Sequence, residues 1–353
     1  MRSPCVKPEH VPFLIGEDRV QIGGTVPGIA GAIKDPDGWW WALLVLLDGT
    51  RAVDQVVAAM VHRFPAHPES DVRDALDVLY REGHLYDADA PDSDLDQRQR
   101  EYYSRAQSLW RLMDRTPRRG YWEVQDVLRD AAILQIGVGG VGCGAAMALT
   151  QSGVGSLHLM DPDVVELSNL ARQCLYTYRD IGAPKVEAAT RRLRVHNEDV
   201  EITAEQAAVE GPEQLRRLVS DYDLLVMAAD APTQIRDWAN GACLVTGTPW
   251  VYGGYHGPLL VAGAYRPGFG ACFRCTKSPS AEPEITEWPG EVPAFQAASP
   301  VSSAYAGITV AHLAMSLLTG VPSLPHNHEY RLNLVKWRSE ILTAPSAGCP
   351  ACL

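Results

Sequence analysis

A buried-looking strand, Ala132-Ile133-Leu134-Gln135-Ile136, runs straight into Gly137-Val138-Gly139-Gly140-Val141-Gly142 and then into a helix-forming stretch, Ala145 to Ser152. Few folds accept that order. The strand must be covered on both faces, the turn must let main chain approach something closely, and the helix must begin at once. Gly137, Gly139, Gly140 and Gly142 let the backbone come up to phosphate oxygens, and the unpaired N–H groups of a helix start attract their charge. A tight turn without any ligand would show the same glycines, so their surroundings matter. Asp161 ends the next strand, Ser156–Met160, where a ribose hydroxyl would be held in a nucleotide fold.

The pattern after Ala131 alternates strands with helices. Lys185 to Asn197 reads as a helix, Val200 to Ala204 as a short strand, and Leu224 to Ala228 and Pro249 to Tyr252 as further strands. Such alternation predicts an α/β fold, a Rossmann-like doubly wound parallel sheet with ligands at the carboxyl ends of its strands. Residues 1–90 read differently. Phe13 to Ile22 suggests a hairpin, and Asp35-Pro36-Asp37-Gly38 a turn into a helix over Trp39 to Leu47. Two more helices follow, one carrying Val53, Val56, Val57, Met60 and Val61, the other Val72, Leu76, Leu79 and Tyr80. Hairpin plus three helices predicts a small winged-helix-like α+β domain. The expected organisation is 1–90 for that domain, 91–130 for an acidic linker and helical arm, and 131–353 for the sheet domain.

A net charge of −12 argues against a nucleic-acid binder but leaves room for ATP, which needs only local positive charge. The N-terminus carries Pro4, Glu9 and Asp18 without a long apolar run, so no export signal is expected. Trp39 to Leu47 is read as the longest apolar stretch, too short to span a bilayer. A cytoplasmic protein with no membrane partner is expected.

Chemistry concentrates between Asp161 and Asp230. Asp161, Asp163, Asn169, Arg172, Gln173 and Lys185 lie in a dense polar segment, and Asn169, Arg172, Gln173 and Lys185 can converge on a polyphosphate. Asp230 ends a strand and suits Mg²⁺, which takes a carboxylate plus phosphate oxygens. A solvated charged loop is the alternative for any one of them. Cys272-Phe273-Arg274-Cys275 and Cys349-Pro350-Ala351-Cys352 suit a closed tetrahedral Zn²⁺ site tying the tail onto the domain; a redox role for a CxxC pair is the other reading. Cys174, beside Gln173, is read as a small buried residue or a neighbour of the site.

These residues resemble the ThiF/MoeB/HesA adenylyltransferases, relatives of ubiquitin-activating enzymes. The resemblance rests on the glycine turn, Asp161-x-Asp163, Ser168-Asn169-Leu170-x-Arg172-Gln173, Gly182-x-Pro184-Lys185-Val186, Asp230 and both cysteine pairs, and covers roughly Arg98 onward. It implies ATP·Mg²⁺ and transfer of AMP to a carboxylate of a peptide or small protein. It also implies that Arg172 and Lys185 contact phosphates, Asp230 holds Mg²⁺, Asp161 holds the ribose, and Asn169 and Gln173 line the site. A homodimer is implied too, with Arg105 entering the partner's site. The segment Lys277 to Ser303 has no cysteine, so no enzyme thioester is expected.

Gly28 to Leu47 with Asp48-Gly49-Thr50-Arg51 resembles the PqqD-like peptide-recognition element of bacterial ribosomal-peptide pathways. That resemblance implies a precursor peptide whose leader adds as a strand between the third strand and third helix. A plain packing domain is the alternative. A DNA-binding winged helix fits less well, because Glu69, Asp71, Asp74, Asp77 and Glu82 outnumber Arg73 and Arg81 on the third helix. The expected function is ATP-dependent adenylation of a carboxylate, at the C-terminus of a ribosomal precursor peptide. The alternatives are a non-catalytic partner that recruits the leader to a cyclodehydratase, and an activator of a ubiquitin-like sulfur carrier.

Overall fold

The computed structural model describes residues 1–276, 297–343 and 349. It divides into two compact units, Met1–Val127 with Thr319–Ser323, and Leu128–Leu318 with Leu324–Leu353.

The first unit contains β1 (Pro4–Val6), β2 (Phe13–Ile15), β3 (Arg19–Ile22), β4 (Gly31–Lys34), α1 (Trp39–Leu46), α2 (Val53–Arg63), α3 (Glu69–Arg81), β5 (Leu85–Asp87) and α4 (Gln97–Met113). Helix α5 (Glu123–Asp130) runs across the division. Strands β2, β3 and β4 form an antiparallel sheet in that order, and β1 pairs with β5. Asp35 starts α1: its two carboxylate oxygens accept the N–H groups of Trp40 and Trp41, each at 2.8 Å. The apolar faces of the three helices then close on Val20 and Ile22, with Leu43, Leu47, Val56, Met60, Val72, Leu76 and Leu79 buried together. Helix α4 is bonded into this unit. Arg111 lies over the rings of Tyr86 and Tyr121 and pairs with Glu9 at 2.9 Å, and Lys7 Nζ donates to Asp114 O at 2.8 Å.

The second unit is built on β6 (Ala132–Ile136), α6 (Gly140–Gln151), β7 (Ser156–Met160), α7 (Lys185–His196), β8 (Glu201–Glu205), α8 (Pro212–Val219), β9 (Leu224–Met227), α9 (Ile235–Thr246), β10 (Trp250–His256), β11 (Leu259–Tyr265), α10 (Phe273–Thr276), α11 (Pro300–Thr319), β12 (His328–Asn333) and β13 (Arg338–Thr343). The sheet order is β13-β12-β11-β10-β9-β6-β7-β8. Strands β10 to β8 in that order are parallel, and β11, β12 and β13 extend the sheet antiparallel. The fold is therefore α/β with a Rossmann-like core and a mixed edge. The chain winds from β6 outward through β7 and β8, then returns to β9 on the other side of β6. That reversal puts the switch point, and the crevice it opens, at the carboxyl end of β6.

One face of the sheet packs on α8 and α9 through Leu134, Ile136, Leu225, Met227, Leu215, Val219, Ile235 and Ala239. The other face carries α6 and α11, which approach so closely that a side chain on Gly307 would fall 2.5 Å from Val141 O. Helix α11 carries a longer but interrupted apolar span than the unbroken run Trp39 to Leu47. It is the one helix among the described residues long and apolar enough to cross a membrane, and 61 % of its most apolar window is buried inside the protein. Its small polar residues, Ser302, Ser303 and Ser316, interrupt the apolar run in sequence yet sit buried against neighbours.

Candidate active site

The glycines of the turn are needed for separable reasons. Gly137 has φ of +94°, and a side chain there would strike the main chain of Ala228 at 2.7 Å, where β9 ends. At Gly142 a Cβ would come 2.1 Å from Gly137 O. Gly139 is different. Its nearest neighbour would be Gln173 Nε2, at 4.0 Å. Packing forbids side chains at Gly137 and Gly142, whereas the space beside Gly139 is open.

Three side chains hold this turn. Asp161, buried at the end of β7, accepts the N–H of Val138 at 2.7 Å and, with its other oxygen, that of Asp163 at 2.9 Å. The Tyr176 hydroxyl donates to Val138 O at 2.7 Å. Burial pushes this phenol far above its ordinary pKa, so it stays protonated and remains a donor. Gln135, fully buried in β6, donates its amide to Gly137 O at 3.1 Å and to Gly142 O at 2.9 Å. The turn is thus preorganised before any ligand arrives.

Around it stand most of the residues expected from sequence. Lys185 opens α7, is 7 % exposed, and places Nζ 2.7 Å from the exposed carboxylate of Asp163. Arg172 donates through Nη1 to Ser168 O at 2.8 Å, while its Nε is buried without a partner. Asn169 is buried and accepts the N–H of Glu166 at 3.1 Å. Gln173 is buried beside Gly139, and its Oε1 has no hydrogen-bond partner. Asp230, three residues past β9, is exposed and free of ion pairs among the described residues. Gln173 Oε1 is a buried, unsatisfied atom on the residue that faces the open side of Gly139, where a polar ligand would satisfy it, and Arg172 Nε is a second such atom in the same segment. Arg105 is exposed on α4, in the first unit. Cys174 corrects the expectation of burial: it is exposed.

Sequence reading missed Gln135, Tyr176, Arg236, Tyr255 and Ser303. Gln135 alone carried a signal, as a polar residue inside an apolar strand. Tyr255 Oη lies 3.4 Å from Ser303 Oγ, and both crowd the Cα of Gly140 from the side of α11 and β10.

The sulfurs of Cys272, Cys275 and Cys349 lie within 4.8 Å of one another, with Cys272 3.9 Å from each of the others. Zinc–sulfur bonds of about 2.3 Å in a tetrahedron separate sulfurs by about 3.8 Å. The three cysteines therefore match three corners of a zinc site. Cys352, the expected fourth ligand, lies outside the described residues, as do residues 277–296 of the segment read as free of cysteine.

A preorganised glycine turn at a switch point, with a lysine, an arginine and buried amides in the segments around it, suits the phosphates of a nucleotide. The chain belongs to the ThiF family, whose match covers residues 109–351. It is 36 % identical over 234 residues, 65 % of this chain and 88 % of the relative, to the sulfur carrier protein ThiS adenylyltransferase of Escherichia coli strain K12. Among solved structures, E. coli MccB with ATP has a TM-score of 0.76 at 21 % identity, covering 100 % of both chains. PaaA has a TM-score of 0.69 at 24 % identity, covering 96 % of this chain and 99 % of PaaA. The protein is an ATP-dependent adenylyltransferase of the ThiF/MoeB type.

Proposed function

We propose that this enzyme adenylates the C-terminal carboxylate of a ribosomally made precursor peptide, holding the peptide's leader on residues 1–90. The observation that carries the reading is the extent of the likeness. The MccB fold is matched along the whole chain, including residues ahead of the ThiF match, whereas the ThiS adenylyltransferase takes in only 65 % of it. MccB is described as a microcin C7 biosynthetic enzyme in complex with N-formylated MccA, and an N-formyl group marks a ribosomal product. Among the described residues β4 pairs only with β3, which leaves its other edge for an added strand, as leader binding requires.

The reaction asks little covalent work of the protein. A carboxylate oxygen attacks the α-phosphorus, and the bond from that phosphorus to the bridging oxygen breaks. The electron pair leaves with pyrophosphate. The attacking carboxylate is ionised near neutral pH, so no base is needed. Lys185 and Arg172 offset the phosphate charge, and the open face of Gly139 gives the phosphates room. Asp230 would hold Mg²⁺, which supplies further neutralisation of the departing pyrophosphate. Zn²⁺ on Cys272, Cys275, Cys349 and Cys352 would fasten the C-terminus without entering the chemistry. Arg105, exposed and unpaired among the described residues, is available to a partner subunit in a homodimer.

The identity with ThiS adenylyltransferases favours a second reading, activation of a ubiquitin-like sulfur carrier. ATP–pyrophosphate exchange separates the two. Exchange driven by a ribosomal precursor peptide supports the first, and exchange driven only by a ThiS-type carrier supports the second. Leader binding without exchange in either case would leave a recruiting partner.

A further inference from the structure

The reaction must bring a carboxylate against an α-phosphate, so two anions have to be held together. Lys185 is paired with the exposed carboxylate of Asp163. Across β10 from the glycine turn, on the sheet face that carries α9, stands another cation. Arg236, on α9, rests on the ring of Tyr252 with its guanidinium carbon 4.9 Å from the centroid. One terminal nitrogen donates to Gly253 O at 3.2 Å, and Nε is buried with no hydrogen-bond partner. Arg236 forms no ion pair among the described residues. Tyr252 turns its hydroxyl to Glu329, which also pairs with Arg331 at 2.7 Å.

The position of this arginine is fixed relative to the glycine turn. Strand β10 runs past the start of α6: a side chain on Gly253 would lie 3.1 Å from Val141 Cγ1, and Tyr255 Oη stands 3.0 Å from where a side chain on Gly140 would begin. The next glycine makes space for the guanidinium, since a Cβ on Gly254 would fall 2.9 Å from Arg236 Nη2. An arginine stacked on an aromatic ring is already oriented, and its planar fork matches a carboxylate better than a lysine would.

We propose that Arg236 receives the carboxylate-bearing end of the acyl substrate and presents it to the α-phosphate. This deepens the adenylation reading and rests on it. Lys185 and Arg172 then serve the phosphates, and Arg236 serves the acyl group.

The test compares one peptide in two forms. A ribosomal precursor peptide is made with a C-terminal carboxylate and with a C-terminal carboxamide, and the binding of each is measured with a non-cleavable ATP analogue present. Wild type should prefer the acid by about tenfold or more, the worth of a charge-assisted bond. Arg236→Gln should lower that preference below about twofold while keeping affinity for the ATP analogue within about threefold, and Arg236→Lys should retain part of it. Gly254→Ala, which crowds the guanidinium without removing it, should also lower it. Because the measure is a ratio of two ligands on one protein, a general loss of folding cannot imitate the result. A preference that survives in Arg236→Gln, or a wild type that binds both forms equally, overturns the assignment and leaves the peptide reading standing. Binding of neither form by wild type would overturn the peptide reading, and the assignment with it.

Discussion

Asp161 holds the peptide N–H of Val138 at 2.7 Å, joining the end of β7 to the glycine turn after β6. The carbonyl of the same residue is held by Tyr176. With both sides of one residue fastened, the turn cannot relax into the space a nucleotide needs. Tyr176→Phe removes one hydroxyl and nothing else. It should cost about 1 kcal/mol of stability and raise KM for ATP severalfold, with kcat changed less. Steady-state kinetics checks this, and an unaltered KM would show that the clamp has no part in nucleotide binding.

The glycines should separate folding from binding. Gly142→Ala puts a methyl group 2.1 Å from a carbonyl oxygen, so about 3 kcal/mol or more of stability should be lost. Gly139→Ala meets no protein atom closer than 4.0 Å. It should melt within a few degrees of wild type and yet bind ATP at least about tenfold more weakly, because the added methyl enters the ligand's space. Calorimetry beside nucleotide titration decides it. Equal loss of stability in both variants would contradict the open face assigned to Gly139.

Much of this was legible in the sequence because it is local. Strand, glycine turn and helix are contiguous, and Asp161 and Lys185 sit at the ends of elements that their own neighbours specify. Tyr176 was not legible, since its partner lies 38 residues away and the pairing exists only once β6 and the segment before α7 are folded together. Gln135 and Arg236 share that difficulty. Helix α11 was passed over because its serines and Gly307 break the apolar pattern, although those small residues are what let it lie against α6. Strand β12 is half-buried, and β13 is exposed or half-buried from Arg338 to Leu342; both carry charged residues, so they lack the apolar run that marked the central strands.

Metal content follows from the cysteines. The purified enzyme should carry one Zn²⁺ per chain by elemental analysis. Stripping it with a strong chelator should lower Tm clearly and reversibly, with zinc restoring it, and replacing Cys272 by Ser should lower Tm without such rescue. A stable protein purified free of metal would contradict the site.

A buried pair of histidines in the first unit predicts acid sensitivity. His10 and His84 face each other with Nδ1 atoms 3.0 Å apart, and His10 Nε2 bonds Leu112 O. Burial, together with His10, Arg115 and Lys7 nearby, holds His84 down to about 3, well below its ordinary 6.5. The unfolded chain therefore takes up a proton below pH 6.5 that the folded chain refuses until about pH 3. Stability should fall as pH drops through that window. His84→Gln should flatten the fall in chemical-denaturation curves measured across it, and an unchanged slope would show that the pair does not titrate in this way.

The central claim is adenylation of a peptide carboxylate, and ATP–pyrophosphate exchange tests it most directly. With a ribosomal precursor peptide as substrate, exchange should depend on the peptide, vanish in Lys185→Ala and Asp230→Ala, and be absent with the C-terminal carboxamide. Exchange that ignores the peptide's C-terminus, or none at all from a preparation that binds both ATP and peptide, would contradict the account.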